Sequence, residues 1–341
     1  MRRRIDGGWL LNKQSSGSGE TAHESLAPIF RRSIFWTPER DAPSAWVEHV
    51  PFAFWLVDVL RPRRIVELGT HNGVSYSAMC QAVKTLGLAT SCFAIDTWKG
   101  DEHAGFYGDD VYRDLAAFHD RRYGAFSQLV RSSFDEALHH FEDGSIDLLH
   151  IDGLHTYEAV RHDYESWLPK LSDNAIVLFH DTNVRERNFG VFRLWNEITA
   201  GRPHFSFLHE HGLGVLCHGR DYPDALWALF RADEDGRLGS AIREIFATVG
   251  RSVRLSEQVS ELSRLRQALA ARLDELAGIK QELEGSTDRI ALLDRILASH
   301  SWRMTRPLRV AGRLLRGDWP ALAEVRPALI RIARSLPTKT R

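Results

Sequence analysis

Two short stretches of this 341-residue sequence hold side chains whose types and spacing suit chemistry: Asp152-Gly-Leu-His155-Thr-Tyr157-Glu158 and Phe179-His180-Asp181-Thr182. Two aspartates brought side by side can hold a hard divalent cation such as Mg2+ and leave waters for a substrate oxygen to displace. His155 stands three residues past Asp152. An imidazole there can accept a hydroxyl proton near neutral pH without large tuning. His180, next to Asp181, adds a softer donor that tilts such a site toward Mn2+ or Fe2+. The expected metal set is therefore Asp152, His180 and Asp181.

A third stretch, Glu67-Leu-Gly69-Thr70-His-Asn-Gly73, is glycine-spaced so that the backbone can turn tightly and come close to a cofactor. The spacing is G-x-x-x-G, not the G-x-G-x-x-G that cradles a dinucleotide pyrophosphate. Glu67 would repel a pyrophosphate but suits a cofactor that carries an ammonium group, which favours S-adenosylmethionine over NAD. Asp96, 23 residues beyond Gly73, ends the next apolar run. There it can accept hydrogen bonds from ribose hydroxyls. Trp98 either lines the nucleoside pocket or packs. His150 lies inside a strand pattern and reads as a satisfied interior histidine. His209 and His211 either face the substrate or lie in a solvated loop, the latter preferred, and Lys99 to Asp110 reads as part of a substrate lid.

These residues need elements to position them. Ile65–Leu68, Cys92–Asp96, Phe126–Val130, Ile146–Asp152 and Ala175–Phe179 read as strands, with helix-period segments between them. The strands contain few polar residues, which argues a parallel sheet covered on both faces. Trp46 to Leu60 reads as an apolar helix, broken or started near Pro51, that packs on this sheet. His204–His209 and Leu213–Cys217 follow closely enough to form an antiparallel hairpin. The expected class is α/β: a Rossmann-like, doubly wound, mostly parallel sheet ending in an antiparallel hairpin, followed by a C-terminal coiled coil. Residues 1–42 read as a flexible lead-in, 43–220 as the catalytic domain and 221–250 as a helical connector.

From 251 to 300 the period becomes seven. Leu255, Leu262, Leu269, Leu276, Leu283, Ile290 and Leu297 are each seven apart, a coiled-coil signal. Val259 and Leu273 fill the partner position, but so do Arg266 and Lys280, which leaves strand number and partner open. Gly278 and Gly285-Ser286-Thr287 are candidate breaks. Residues 301–341 form a basic tail with ten Lys/Arg against two Asp/Glu, a charge of +8; with a net charge of −1 for the chain, the other 300 residues carry −9. An acidic body excludes nucleic acid as its natural partner. The tail can lie on an anionic membrane surface or dock a soluble partner. No apolar run is long enough to span a membrane, and the opening Met1-Arg-Arg-Arg-Ile-Asp lacks an apolar segment leading to a cleavage site. Three cysteines without a C-x-x-C exclude a disulfide framework and suit a reducing cytoplasm. The expected location is cytoplasmic, with possible peripheral contact at the inner face of the membrane.

With Glu67-x-Gly69-x-x-x-Gly73, Asp96 and the terminal hairpin, residues 45 to 220 resemble class I S-adenosylmethionine-dependent methyltransferases. The stretches after the fourth and fifth strands are similar to a glycan-associated branch, related to metal-dependent O-methyltransferases of the catechol and macrolide-sugar types. The resemblance implies a metal at Asp152 and the residues after the fifth strand, although His180 stands where those enzymes usually have an acidic residue. It also implies His155 as general base and Ser133 against the adenine, where a serine is equally a helix cap. Ser299-His-Ser301-Trp302-Arg303-Met-Thr305-Arg-Pro307-Leu308-Arg309 resembles a segment recurring in bacterial glycan-assembly enzymes. The implied function is O-methylation of a sugar hydroxyl in a polysaccharide or glycoconjugate. The coiled coil would then mediate homo-oligomerisation or contact with a glycan-assembly partner. Two other readings are a non-haem-iron, hydroxylase-like enzyme of the same fold and an inert coiled-coil scaffold.

Overall fold

The computed structural model describes residues 27–317, so the expectations for 1–26 and 318–341 lie outside the described residues. The chain divides into two units, Met1–Ser260 and Glu261–Arg341. In the first unit a 3-10 turn, Val47–His49, leads into α1 (Val50–Leu60), with Pro51 in its first turn where a missing N–H costs nothing. Then follow β1 (Arg64–Leu68), α2 (Val74–Leu86), β2 (Ser91–Asp96), the short pair β3 (Gly100–Asp101) and β4 (Gly105–Phe106), and α3 (Asp109–Tyr123). Next come β5 (Ser127–Arg131), α4 (Phe134–Leu138), β6 (Ile146–Ile151), α5 (Tyr157–Trp167), β7 (Leu171–His180) and α6 (Val191–Ile198). β8 (His204–Phe207), β9 (Leu213–Cys217), α7 (Asp224–Glu234) and the long α8 (Gly236–Ala298) complete the series.

The main sheet has the order β5-β2-β1-β6-β7-β9-β8. The first five strands are parallel, and β9 runs antiparallel to both neighbours. This is the expected α/β class with its terminal hairpin. Register fixes what emerges at the carboxyl edge: Leu68 lies beside Ile95 and Ile151, and Ile151 beside Phe179. The residues that follow are Gly69, Asp96, Asp152 and His180, so one edge collects every stretch singled out above.

Alternation along the strands gives two cores. Ile65, Leu148 and Leu178 face α1 and α2, while Val66, Leu149 and Val177 face the side bearing α5 and α6. Helix α1 is apolar all round and almost wholly buried, as such a helix must be. The start of α8 is part of the body too: Phe246 lies among the rings of Phe52, Trp55 and Phe207, with centroids 5.4–6.1 Å away. At Gly250 a Cβ would fall 2.1 Å from the Glu48 carbonyl oxygen, so only glycine allows that approach.

Three details differ from the sequence reading. The lid segment contains the small β3–β4 pair, and β7 begins at Leu171 rather than Ala175. Helix α8 runs unbroken through Gly278 and Gly285-Ser286-Thr287. A helical glycine costs only about 1 kcal/mol against alanine, too little to interrupt so long a helix. In the second unit α8 is followed by α9 (His300–Met304), capped by Ser299, and α10 (Arg306–Leu315), with Pro307 again in a first turn. Arg309 stacks 3.6 Å from the Trp302 ring centroid. Truncating Phe246 to Ala should lower the unfolding free energy by about 3–5 kcal/mol, read as an earlier midpoint in urea.

Candidate functional site

The glycine loop is shaped by the meeting of β1 and β6. Asp152 N–H donates to Leu68 O at 2.8 Å and Gly69 N–H to Ile95 O at 2.9 Å, tying the strand ends together. Gly69 has φ +86°, and a Cβ there would stand 2.1 Å from the Asp152 carbonyl oxygen. No other residue fits on either count. Gly73 is the N-cap of α2. Thr70 is buried, and its Oγ1 has no hydrogen-bond partner among the described residues.

Glu67 is fully buried below this loop, and burial pushes its carboxyl up despite the opposing pull of His150. Its Oε2 lies 2.7 Å from His150 Nδ1, while Trp46 Nε1–H donates to His150 Nε2 at 3.2 Å. The indole has only a proton to give, so His150 holds its own proton on Nδ1 and donates it to Glu67. His150 is the satisfied interior histidine expected. Glu67 Oε1 finds no partner in hydrogen-bond range, although Ser75 stands near enough to ease its charge. Two buried acceptor oxygens without partners beside a tight glycine turn fit a ligand that brings its own N–H or O–H groups.

Asp96 turns back on the same loop. Its Oδ2 accepts from Thr70 N–H at 2.8 Å and His71 N–H at 2.9 Å, and its Oδ1 from Trp98 N–H at 2.7 Å. A carboxylate offers about four acceptor positions, which leaves room for one more donor. Trp98 is buried and donates from Nε1 to His71 O at 3.0 Å. Ser133 is the N-cap of α4, in a capping box with Glu136.

The carboxylates of Asp152 and Asp181 meet above the β6 and β7 ends. His155 Nε2 lies 3.5 Å from Asp152 Oδ1 and 2.8 Å from Asp181 Oδ2; His180 Nδ1 lies 3.2 Å and 3.1 Å from the same two oxygens. Asp181 Oδ1 pairs with His211 Nδ1 at 2.9 Å. One ligand atom each from Asp152, His155 and Asp181 falls within 4.8 Å of the others, the spacing a metal ion needs. Burial alone would raise both carboxyls, but the imidazoles outweigh it and hold Asp152 and Asp181 well below the usual range. Burial likewise opposes charge on the histidines. The carboxylates prevail, lifting His155 to about 9 and His180 to about 10. Without a cation, protons on two imidazoles therefore balance the two carboxylates. A divalent cation on the same atoms would supply that charge, so the donor set fits one, with two nitrogens beside two oxygens.

Sequence reasoning missed several neighbours. His49 is fully buried with neither ring nitrogen hydrogen-bonded among the described residues, 4.4 Å from the His209 ring and 5.8 Å from that of His180. Burial pushes His49 well below its ordinary value and lowers His209 as well. His103, on the β3–β4 turn, stacks on Phe189 at 4.4 Å, and Phe189 stacks on His155 at 4.6 Å. His211 is exposed in a loop, as read, and also pairs with Asp181. Only the His209-x-His211 doublet left a trace in the sequence.

Residues 66–182 match the protein family described as "Methyltransferase domain". The match covers about a third of the chain and makes that stretch similar to a methyltransferase domain. The matched span runs from β1 to the residue after Asp181 and so contains the glycine loop, Asp96, Asp152, His155 and both residues after β7. Over 253 residues, 73% of this chain, the sequence is 49% identical to the uncharacterized protein y4gI of Sinorhizobium fredii, of which it covers 28%. The chain thus spans little more than a quarter of that relative. Among solved structures it is similar to a putative caffeoyl-CoA O-methyltransferase from Staphylococcus aureus (14% identity, 50% of this chain and 83% of that one, TM-score 0.40). It is also similar to the Podospora anserina methyltransferase PaMTH1 (15% identity, 53% and 89%, TM-score 0.38).

The charge arrangement of this site gives a pH test. Folding favours the protonated forms of His155 and His180, so their contribution to stability is full below about pH 6.5 and is lost as pH rises through about 9 to 10. The aspartates contribute above their ordinary range near 3.8 and lose that contribution as pH falls below it. In EDTA, the urea midpoint should fall between pH 6.5 and 10, and Asp181→Asn should flatten the fall. A wild-type midpoint constant over that window would refute the protonated-pair description.

Proposed function

We propose that the methyltransferase domain transfers the methyl group of S-adenosylmethionine to a sugar hydroxyl of a polysaccharide or glycoconjugate, with a divalent metal, Mg2+ or Mn2+, at the site. The observation that carries the reading is the convergence of Asp152, Asp181, His180 and His155 at the edge that also holds the glycine loop. Glu67, Gly69, Thr70 and Gly73 would hold the amino-acid end of the cofactor, and Asp96, Trp98 and Ser133 its nucleoside. Asp152 borders both the cofactor loop and the metal position.

Asp152, His180 and Asp181 would hold the cation, which when bound would polarise a substrate hydroxyl and lower its pKa. With the carboxylates so occupied, His155 no longer needs its extra proton and is free to take one at Nε2 from that hydroxyl. Phe189, stacked on the His155 ring, and His103 above it fix the imidazole plane and shield it from water. The sugar acceptor, the cytoplasmic location and a docking role for the basic tail, on a glycan-assembly partner or at the inner membrane face, belong to the same proposal. Among the described residues no helix is long and apolar enough to cross a membrane. A second reading is favoured by the two imidazoles beside the carboxylates, a donor set that also suits non-haem iron.

Calorimetry with S-adenosylmethionine, with and without EDTA, should show binding in both conditions, since the loop meets Asp152 at its main chain whereas a metal would take its side chain. Methyl transfer to sugar acceptors should be lost in EDTA and restored by Mg2+ or Mn2+. Binding in neither condition would sink the methyl-transfer reading, while transfer that persists in EDTA would sink the metal. His155→Ala should lower kcat by about 10²–10⁴-fold and leave cofactor affinity unchanged; equal losses in both would make His155 structural.

A further inference from the structure

Beyond the body, α8 presents an apolar stripe that the described chain leaves open: Leu262, Leu269, Leu276 and Leu283 are each more than half exposed. A continuous stripe of that length marks an interaction surface. We propose that its occupant is the same helix of a second copy, running antiparallel and centred near Leu269–Leu273.

The first support is the spacing. Counting outward from Leu269, an apolar residue stands four, seven, ten and fourteen positions away in both directions, from Leu265 and Leu273 out to Leu255 and Leu283. The pattern reads the same from either end. Reversing one helix about this centre therefore lays every Leu, Ile and Val of the stretch against another, with a mean period of 3.5 suited to a left-handed pair.

Charge supplies the second support. Residues 251–272 hold five arginines and two glutamates, a charge of +3; residues 273–288 hold one lysine and five acidic residues, a charge of −4. The sign changes within about one helical turn of the centre of the apolar pattern. An antiparallel pair sets basic block beside acidic block twice. A parallel pair in register sets each block on its like and places Arg266 against Arg266 and Lys280 against Lys280 at the seam, where like charges are costly. Direction is thus selected by charge and register by the apolar spacing.

The three native cysteines are buried, so an introduced surface thiol is the one that reacts. Full-length protein should be a dimer by light scattering at micromolar concentration. With a short bismaleimide, Leu255→Cys alone and Leu283→Cys alone should give little dimer, whereas an equal mixture of the two, one carrying a larger tag, should give the mixed product. Leu269→Cys, at the centre, should cross-link to itself. Self-linking of Leu255→Cys would overturn the direction, and a trimer would overturn the pair. A monomer with no Leu269→Cys product would overturn the proposal, whether the stripe is then covered by residues 318–341 or by another protein.

Discussion

Two carboxylates at neighbouring strand ends, Asp181 buried and Asp152 half-buried, set the terms for the rest of the molecule. Asp152 and Asp181 cannot share so small a volume as anions unless positive charge is delivered to the same atoms. The fold delivers it from three directions: His155 at the start of the β6–α5 connection, His180 at the end of β7, and His211 from the loop before β9. Asp181 itself takes a left-handed backbone, φ +60°, rare for an aspartate and tolerated here because its side chain is held by three partners. The positions of β7, β9 and α5 are in this sense conditions for a charge balance, and whatever displaces the protons must carry equivalent charge.

The cofactor side depends on a different constraint, close contact between main chains. Gly69 has no side chain because the Asp152 carbonyl occupies the place where one would be. That contact puts the loop and the carboxylate pair within one edge of the sheet. The Glu67–His150–Trp46 chain beneath it links β1, β6 and the segment entering α1 through fully buried polar atoms. Buried polar chains of this kind are worth having only when satisfied. Glu67 Oε1, with only Ser75 near it, and Thr70 Oγ1 lack hydrogen-bond partners among the described residues, which is why the loop reads as a place prepared for a ligand.

Much of this was legible in the sequence because it is local. Asp152 and His155 are three residues apart, His180 and Asp181 are adjacent, and the glycine loop is one turn; strand patterns then align these pieces, since parallel strands deliver their carboxyl ends to one edge. His49 and His103 were not legible. They reach the site from a 3-10 turn before α1 and from a two-residue strand pair, and nothing in their own neighbourhoods distinguishes them from surface histidines. The pairing of His211, an exposed loop residue as read, was not legible for the same reason: its partner Asp181 lies 30 residues away, and only the pairing of β7 with β9 brings the two together. Asp96 carries a related lesson. Its type and position were plain from sequence, but its three bonds to the loop amides follow from the φ +48° turn at His71, which sequence does not announce.

The long helix shows the opposite balance, with local breaks overruled by continuity. Gly278 and Gly285 weaken α8 at two points, yet each interrupts only one turn, and the turns on either side retain strong helix formers. What makes such a helix worth forming is not propensity but burial of its stripe. On the body that burial is visible: Ile242 and Phe246 are covered and Gly250 touches the chain at Glu48. Past Arg254, whose guanidinium pairs with Glu48 and Glu210, the same helix keeps exposed apolar residues at a 3.5-residue mean period. One helix therefore serves as core wall over its first turns and as an exposed seam over the rest. The change occurs where the sequence pattern passes from matching the α1 surface to matching itself.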